Sequence, residues 1–173
     1  GYEFTKFPEE GKIFAPCEVG GCWSCAVEID GELGQSCVTP VRDGMSINTE
    51  VKCNLRAVHG FSGHPVGGVG TPWWVKSIGG YIEAVGFACG CNLRCPQCQN
   101  WMTTYCGRER TLTPREAAEE VTKVGKKYGV DRMAISGGES TLNRTFLLEY
   151  LSELRRMNPD ARLHIDTNAS ILT

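Results

Sequence analysis

Ala88-Cys89-Gly90-Cys91-Asn92-Leu93-Arg94-Cys95-Pro96-Gln97-Cys98-Gln99-Asn100 carries four of the chain's 10 cysteines, and Cys91, Cys95 and Cys98 fall in a C-x3-C-x2-C spacing. Three thiolates in one loop can hold three irons of a [4Fe-4S] cube. The fourth iron is then open to a small molecule, much as a catalytic zinc keeps one position free. Electron-carrier cubes ordinarily use four cysteines. This loop is therefore a candidate catalytic cluster site, and its flanks decide the fold.

Tyr81 to Ala88 suits a buried strand leading into the loop. Beyond Cys106, a helix is predicted with Thr113 as N-cap, Pro114 in the first helical position and Glu116 at the capping-box position. Ala117, Ala118, Val121, Val124 and Tyr128 give it one apolar face, and Gly129 ends it. Val130 to Ser136 reads as a second strand. Arg144 to Met157 reads as a second amphipathic helix, stopped before Asn158-Pro159. Arg162 to Asp166 is a third strand. Such alternation predicts right-handed crossovers and a parallel sheet. Ligands gather beyond the carboxyl ends of such strands, where loops 89–106, 137–143 and 167–170 all fall.

A second cysteine group, Cys17, Cys22, Cys25 and Cys37, has the spacing C-x4-C-x2-C-x11-C. Its first part is the plant-type pattern for a [2Fe-2S] cluster. Gly20-Gly21 lets main-chain N–H groups approach the sulfurs, and such bonds tune a cluster. Ala26 to Ile29, a turn at Asp30-Gly31 and Glu32 to Gly34 read as a small hairpin. Structural zinc or two disulfides are the alternatives, although zinc ribbons show two separated C-x2-C pairs and only one is present. Cys17 to Cys25 and Ser36 to Met45 resemble the [2Fe-2S] domains of respiratory iron-sulfur subunits, succinate dehydrogenase being nearest in spacing. Those domains place a β-grasp strand pair before the first cysteine. With 16 residues ahead of Cys17, part of that domain is expected to be missing.

Composition bounds the rest. The 173 residues are 41% hydrophobic and 22% charged, close to globular averages, with net charge -2. A scaffold held on nucleic acid by phosphate contacts wants a basic excess. No apolar run approaches the roughly 18 residues of a membrane span, and no signal peptide opens the chain. Clustered cysteines without an export signal read as metal ligands or redox groups in a reducing, cytoplasmic setting. The chain is read as residues 1–52, a ferredoxin-like [2Fe-2S] domain incomplete at its start; 53–80, a Gly-rich linker with a Trp73-Trp74 anchor; and 81–173, an α/β core incomplete at its end.

The C-x3-C-x2-C loop after a first strand resembles that of the radical S-adenosylmethionine (SAM) superfamily. Two further motifs follow in register. Ser136-Gly137-Gly138-Glu139 looks like the family's GGE motif. Asp166-Thr167-Asn168 resembles the DTN segment of glycyl-radical activating enzymes such as pyruvate formate-lyase activating enzyme, as does the Gly90-Cys91-Asn92-Leu93-Arg94-Cys95-Pro96 run. The resemblance covers about residues 81–173. It implies the first three strands of a partial (βα)6 barrel, preceded by the small β-rich, partial β-grasp domain. It implies that Cys91, Cys95 and Cys98 bind the cube, whose open iron chelates SAM. Gly137 and Gly138 would let backbone approach the ligand. Glu139 or nearby backbone would receive the SAM ammonium group, and Asp166, Thr167 and Asn168 would lie near its carboxylate or ribose. A monovalent cation at Asp166 is part of the same likeness. Reductive cleavage of SAM then yields a 5′-deoxyadenosyl radical.

Two positions depart from the family pattern: Gln97 replaces the usual aromatic residue before the third cysteine, with Trp101 as a substitute, and Ser140 stands where GGEP has Pro. Cys53 is expected to be a small buried residue, Cys89 and Cys106 unpaired thiols in preference to auxiliary ligands, and His164 a satisfied core histidine. Together the cysteine groups suggest that the [2Fe-2S] domain relays electrons to the cube from a low-potential donor. The substrate implied by the branch is a protein, a glycyl-radical enzyme. A SAM-dependent methylase or maturase fits the motifs as well. The alternatives from other classes are a two-cluster electron-transfer protein without SAM chemistry and a structural zinc protein.

Overall fold

Short strands at Phe4–Thr5 (β1) and Ile13–Phe14 (β2) pair in parallel ahead of Cys17 in the computed structural model, which describes residues 2–65, 80–105, 107 and 109–171. The expected hairpin follows as β3 (Ala26–Ile29) and β4 (Glu32–Gln35). Its turn residues Asp30 and Gly31 both have positive φ, 51° and 89°, the geometry whose twist matches that of the flanking strands. β5 (Ile47–Asn48) adds to the other edge of β3, completing a three-stranded sheet.

The main sheet contains β6 (Arg56–Pro65), β7 (Tyr81–Ala88), and, beyond the short helix α1 (Trp101–Thr104), β8 (Thr111–Leu112). After α2 (Pro114–Tyr128) come β9 (Arg132–Gly137), α3 (Arg144–Met157) and β10 (Arg162–Ile165). The strand order is β10-β9-β7-β6-β8. β7, β9 and β10 run parallel, while β6 lies antiparallel to β7 and β8 antiparallel to β6. The architecture is mixed α/β.

Both long helices start at the caps their sequences provide. Thr113 and Glu116 form the full capping box with Pro114 behind it, and α2 ends on Gly129 in the left-handed conformation. The α3 cap is Asn143, whose Oδ1 accepts from the Phe146 amide at 3.0 Å. The helices pack on one sheet face through Ala117, Val121, Phe146 and Leu154 against Ala84, Ala88, Met133 and Ile135. Strand alternation then sends Glu83, Ser136 and His164 to the opposite face.

Residues 53–80 were expected to be a linker, yet 10 of them form β6 in the main sheet. Gly60, Gly63 and Pro65 hide the alternation that would mark a strand, and the register shifts between Val58 and Gly60 and again at Pro65. Gly63 is required there, because a Cβ would press the Tyr81 and Tyr128 rings. The Trp73-Trp74 anchor and Cys106 lie outside the described residues. Among the described residues, no helix is long and apolar enough to cross a membrane.

Candidate functional site

The carboxyl ends of β7, β9 and β10 open on a cavity of about 550 Å³. Cys91, Cys95 and Cys98 line it, and so do Gly137, Gly138 and Glu139, and Asp166, Thr167 and Asn168. All nine residues read from the three motifs thus meet at one site. The thiols differ in setting: Cys95 is exposed, while Cys91 and Cys98 are half-buried. The Leu93 amide donates to the Cys91 sulfur at 3.4 Å and the Asn168 side-chain amide at 3.6 Å. Burial pushes the Cys91 thiol up. Among the described residues, no three His, Cys, Asp or Glu side chains converge tightly enough for a single metal ion. The three thiols all line the cavity, and three thiolates are a donor set that can hold three irons of a [4Fe-4S] cube.

The motifs are bound to one another by backbone and by one carboxylate. The Gly138 amide donates to the Ala88 carbonyl (2.7 Å) and the Glu139 amide to the Gly90 carbonyl (2.9 Å). A Cβ on Gly138 would overlap the Gly90 carbonyl, so only glycine allows this approach. Glu139 is 1% exposed. Its Oε1 accepts from the Thr141 amide (2.9 Å), the Thr141 hydroxyl (2.7 Å) and the Thr167 hydroxyl (2.7 Å), and its Oε2 from the Asn168 amide (2.6 Å). Its carboxylate therefore clamps the glycine turn to the Asp166-Thr167-Asn168 loop. Ser140, at the position of the missing proline, is buried and donates to the Asp166 carbonyl at 2.9 Å. It secures the same loop by a different bond.

The second cysteine group is the more enclosed. Cys17, Cys22 and Cys25 are buried and Cys37 half-buried. Hydrogen bonds from Cys22 and Cys37 hold Cys17 far below the ordinary thiol range, to about 2. Cys25 is lowered to about 7, chiefly by Cys37. Cys22 and Cys37 are raised in turn, each chiefly by Cys17. The sulfurs thus form a row, Cys22, Cys17, Cys37, Cys25, in which not every thiol can ionise without a neighbouring cation. Iron supplies that charge, so the donor set fits a [2Fe-2S] cluster. Glu18 and Trp23 have positive φ (56° and 62°), strain of the kind retained where a loop must wrap a ligand.

The two cysteine loops touch. A Cβ on Gly21 would sit 2.7 Å from Cys89 Cβ, and one on Gly90 would sit 2.9 Å from Cys17 Cβ. Arg94, inside the C-x3-C-x2-C run, donates to the Cys17 carbonyl at 2.7 Å. The Ala57 amide donates to the Gly21 carbonyl at 3.0 Å.

Other cavity residues had no motif to announce them. Glu83 is 4% exposed. Its carboxylate faces His64 Nδ1 and His164 Nδ1, each at 2.9 Å, while His164 Nε2 lies 3.3 Å from Asp166. Burial is the largest influence on Glu83 and acts upward, but the two histidines outweigh it and hold the carboxyl below its usual range. His164 is therefore hydrogen-bonded, as expected, but it faces the cavity and not the core. A charged residue inside an apolar strand, Glu83 in β7, was the available signal. Trp101 is 60% exposed and the cavity wall carries Tyr105 instead, with Arg94 4.9 Å above its ring.

Residues 85–173 match the family model described as the radical SAM superfamily. Residues 9–52 match the model of a 2Fe-2S iron-sulfur cluster binding domain. A curated relative, a probable GTP 3′,8-cyclase of Methanocella arvoryzae (strain DSM 22066 / NBRC 105507 / MRE50), is 34% identical over 83 residues, which cover 47% of this chain and 24% of that protein. The chain thus spans about a quarter of that relative's length.

Proposed function

The chain belongs to the radical SAM superfamily, and from that membership we propose that Cys91, Cys95 and Cys98 hold a [4Fe-4S] cluster whose open iron takes SAM. The observation that carries this reading is convergence: three thiols, a Gly-Gly-Glu turn and an Asp-Thr-Asn loop, from three separate strand ends, line one cavity. The chemistry supplied there is one-electron cleavage of SAM to methionine and a 5′-deoxyadenosyl radical, which abstracts hydrogen from a substrate. The chain's own residues hold and orient. Gly137 and Gly138 leave room for a ligand beside the backbone. Glu139 keeps the two loops in register through the Thr141, Thr167 and Asn168 bonds. Asn168 bonds the Cys91 sulfur and so links that loop to the cluster loop.

Cys17, Cys22, Cys25 and Cys37 would hold the [2Fe-2S] cluster in this reading. Bound there, the cluster would supply one-electron transfer from a low-potential donor to the neighbouring site. The touching loops support that relay. The activating-enzyme likeness adds a monovalent cation at Asp166, whose carboxylate also lies 3.3 Å from His164 Nε2. For the substrate, Asp166-Thr167-Asn168 and the Gly90 to Pro96 run favour a glycyl-radical protein partner. The likeness to a probable GTP 3′,8-cyclase favours a nucleotide.

The test is electron paramagnetic resonance of anaerobically reconstituted, dithionite-reduced protein with and without SAM. The expected result is a [4Fe-4S]+ signal that changes when SAM is added and is lost in C95A. A cluster signal indifferent to SAM would overturn the catalytic reading and leave a two-cluster electron carrier.

A further inference from the structure

Arg56, the first residue of β6, is fully buried at 0% exposure and stands between the two cysteine loops. Its Nε and Nη2 donate to the Cys89 carbonyl at 3.1 and 2.8 Å. Nη2 also reaches the carbonyls of Gly90 (3.4 Å) and Glu139 (2.7 Å). One half of the guanidinium therefore holds the entry to the C-x3-C-x2-C loop and the glycine turn together. The other half is different. Nη1 is buried with no hydrogen-bond partner among the described residues.

Staple duty on three carbonyls explains Nε and Nη2 only. It leaves an N–H of a buried cation unsatisfied, which is costly, and a buried charge without a counter-charge, which is costlier still. Burial works against the Arg56 charge, and the first cysteine loop lies alongside it, since the adjoining Ala57 amide donates to the Gly21 carbonyl at 3.0 Å and Gly90 packs against Cys17 and Cys22. The Glu139 carboxylate already accepts from four donors, two on Thr141 in its own turn and two, Thr167 and Asn168, in the opposite loop. The charge that answers Arg56 thus comes from the cysteine loops. A cluster bound by thiolates is net negative and gains one more negative charge when reduced.

We propose that Arg56 is the built-in counter-cation of the iron-sulfur centre at Cys17 and Cys22, its Nη1–H left for the bound centre while Nε and Nη2 hold the adjoining loop. This rests on the reading that Cys17, Cys22, Cys25 and Cys37 bind a [2Fe-2S] cluster. It makes Arg56 a positioning and tuning residue. Because the cation favours the more negative state, it raises the reduction potential of that cluster. The same guanidinium also fixes the Cys89 and Gly90 carbonyls, so one buried side chain ties the donor site to the acceptor site.

The experiment is hyperfine spectroscopy (HYSCORE) on the reduced [2Fe-2S] signal of protein labelled with 15N only in arginine. The expected result is a weak 15N coupling in the wild type, kept in R94K and lost in R56K. No coupling in the wild type, or coupling lost in R94K and kept in R56K, overturns the proposal. If R56K fails to fold, the wild-type and R94K spectra decide: coupling in both supports Arg56, and loss in R94K overturns it. A redox titration of R56M adds a second readout, with a lower [2Fe-2S] potential expected and an unchanged one counting against the proposal. The outcome in which wild-type protein with full iron content shows no [2Fe-2S] signal is distinct. It removes the cluster assignment itself, and the Arg56 proposal falls with it.

Discussion

Glu139 shows how much of this site depends on single atoms. A carboxylate serving four donors has no need to be a proton carrier; its value is that both oxygens accept. In E139Q one of those oxygens becomes an NH2, which then faces a donor. The expected cost is about 2–3 kcal/mol, the penalty for leaving buried charged-group bonds unmade, read as a lower urea midpoint of the iron-free protein. An unchanged midpoint would show that the clamp does not hold the loops. The thiols carry a second consequence. Cys91, Cys22 and Cys37 are all raised above the ordinary thiol range, by burial at Cys91 and by neighbouring sulfur at the other two. A ligand thiol must lose its proton, so cluster assembly releases protons and weakens as pH falls. Iron content after reconstitution is expected to keep rising with pH through the unperturbed thiol value near 8.5, because these thiols are raised above it. A flat profile would contradict it.

At the scale of elements, β6 and β7 are held at their outer ends by the His64, Glu83 and His164 contacts. His64 lies directly across from Glu83 in the strand register, and His164 reaches it from β10. The folded carboxyl of Glu83 titrates below its ordinary value. Its contribution to stability is therefore complete above the unfolded carboxylate value, about 4.3, and is lost as pH falls through the lower folded value. E83Q is expected to lose about 1–2 kcal/mol near pH 6, in the range for charge-assisted bonds, with the difference from wild type shrinking below about pH 4. Denaturant titrations at the two pH values check this. Local signals explain which elements were legible. Thr113, Pro114 and Glu116 announce α2, Asp30-Gly31 announces the β3–β4 turn, and cysteine spacing announces both cysteine groups. β6 was not legible because its glycines interrupt the alternation and its partner strand lies beyond a long connection. The Glu83 network and Arg56 were not legible for a related reason. Their partners come from distant segments, and no sequence spacing encodes a contact between residues 56 and 139.

For the whole molecule, the decisive feature is that the two cysteine loops share one packed boundary. The absence of side chains at Gly21 and Gly90 lets Cys89 and Cys17 approach, and Arg94 and Ala57 bond across the same boundary. Contact this close has a magnetic consequence that needs no turnover. Two reduced, paramagnetic clusters at adjacent sites relax one another, so the [2Fe-2S] signal should resist microwave saturation while its neighbour is loaded and reduced. The expected result is a half-saturation power several-fold higher in reduced wild type than in C95A, which lacks the second cluster but keeps Cys17, Cys22, Cys25 and Cys37. G90A should fall between them. Its Cβ would press on Cys17 Cβ and Sγ, at 2.9 and 3.2 Å, and it asks a residue with a side chain to adopt φ +86°. That pressure pushes the loops apart without removing a ligand. Equal saturation in wild type and C95A would mean that the clusters do not sense each other, and the one-chain electron relay would have to be abandoned even if both clusters assemble.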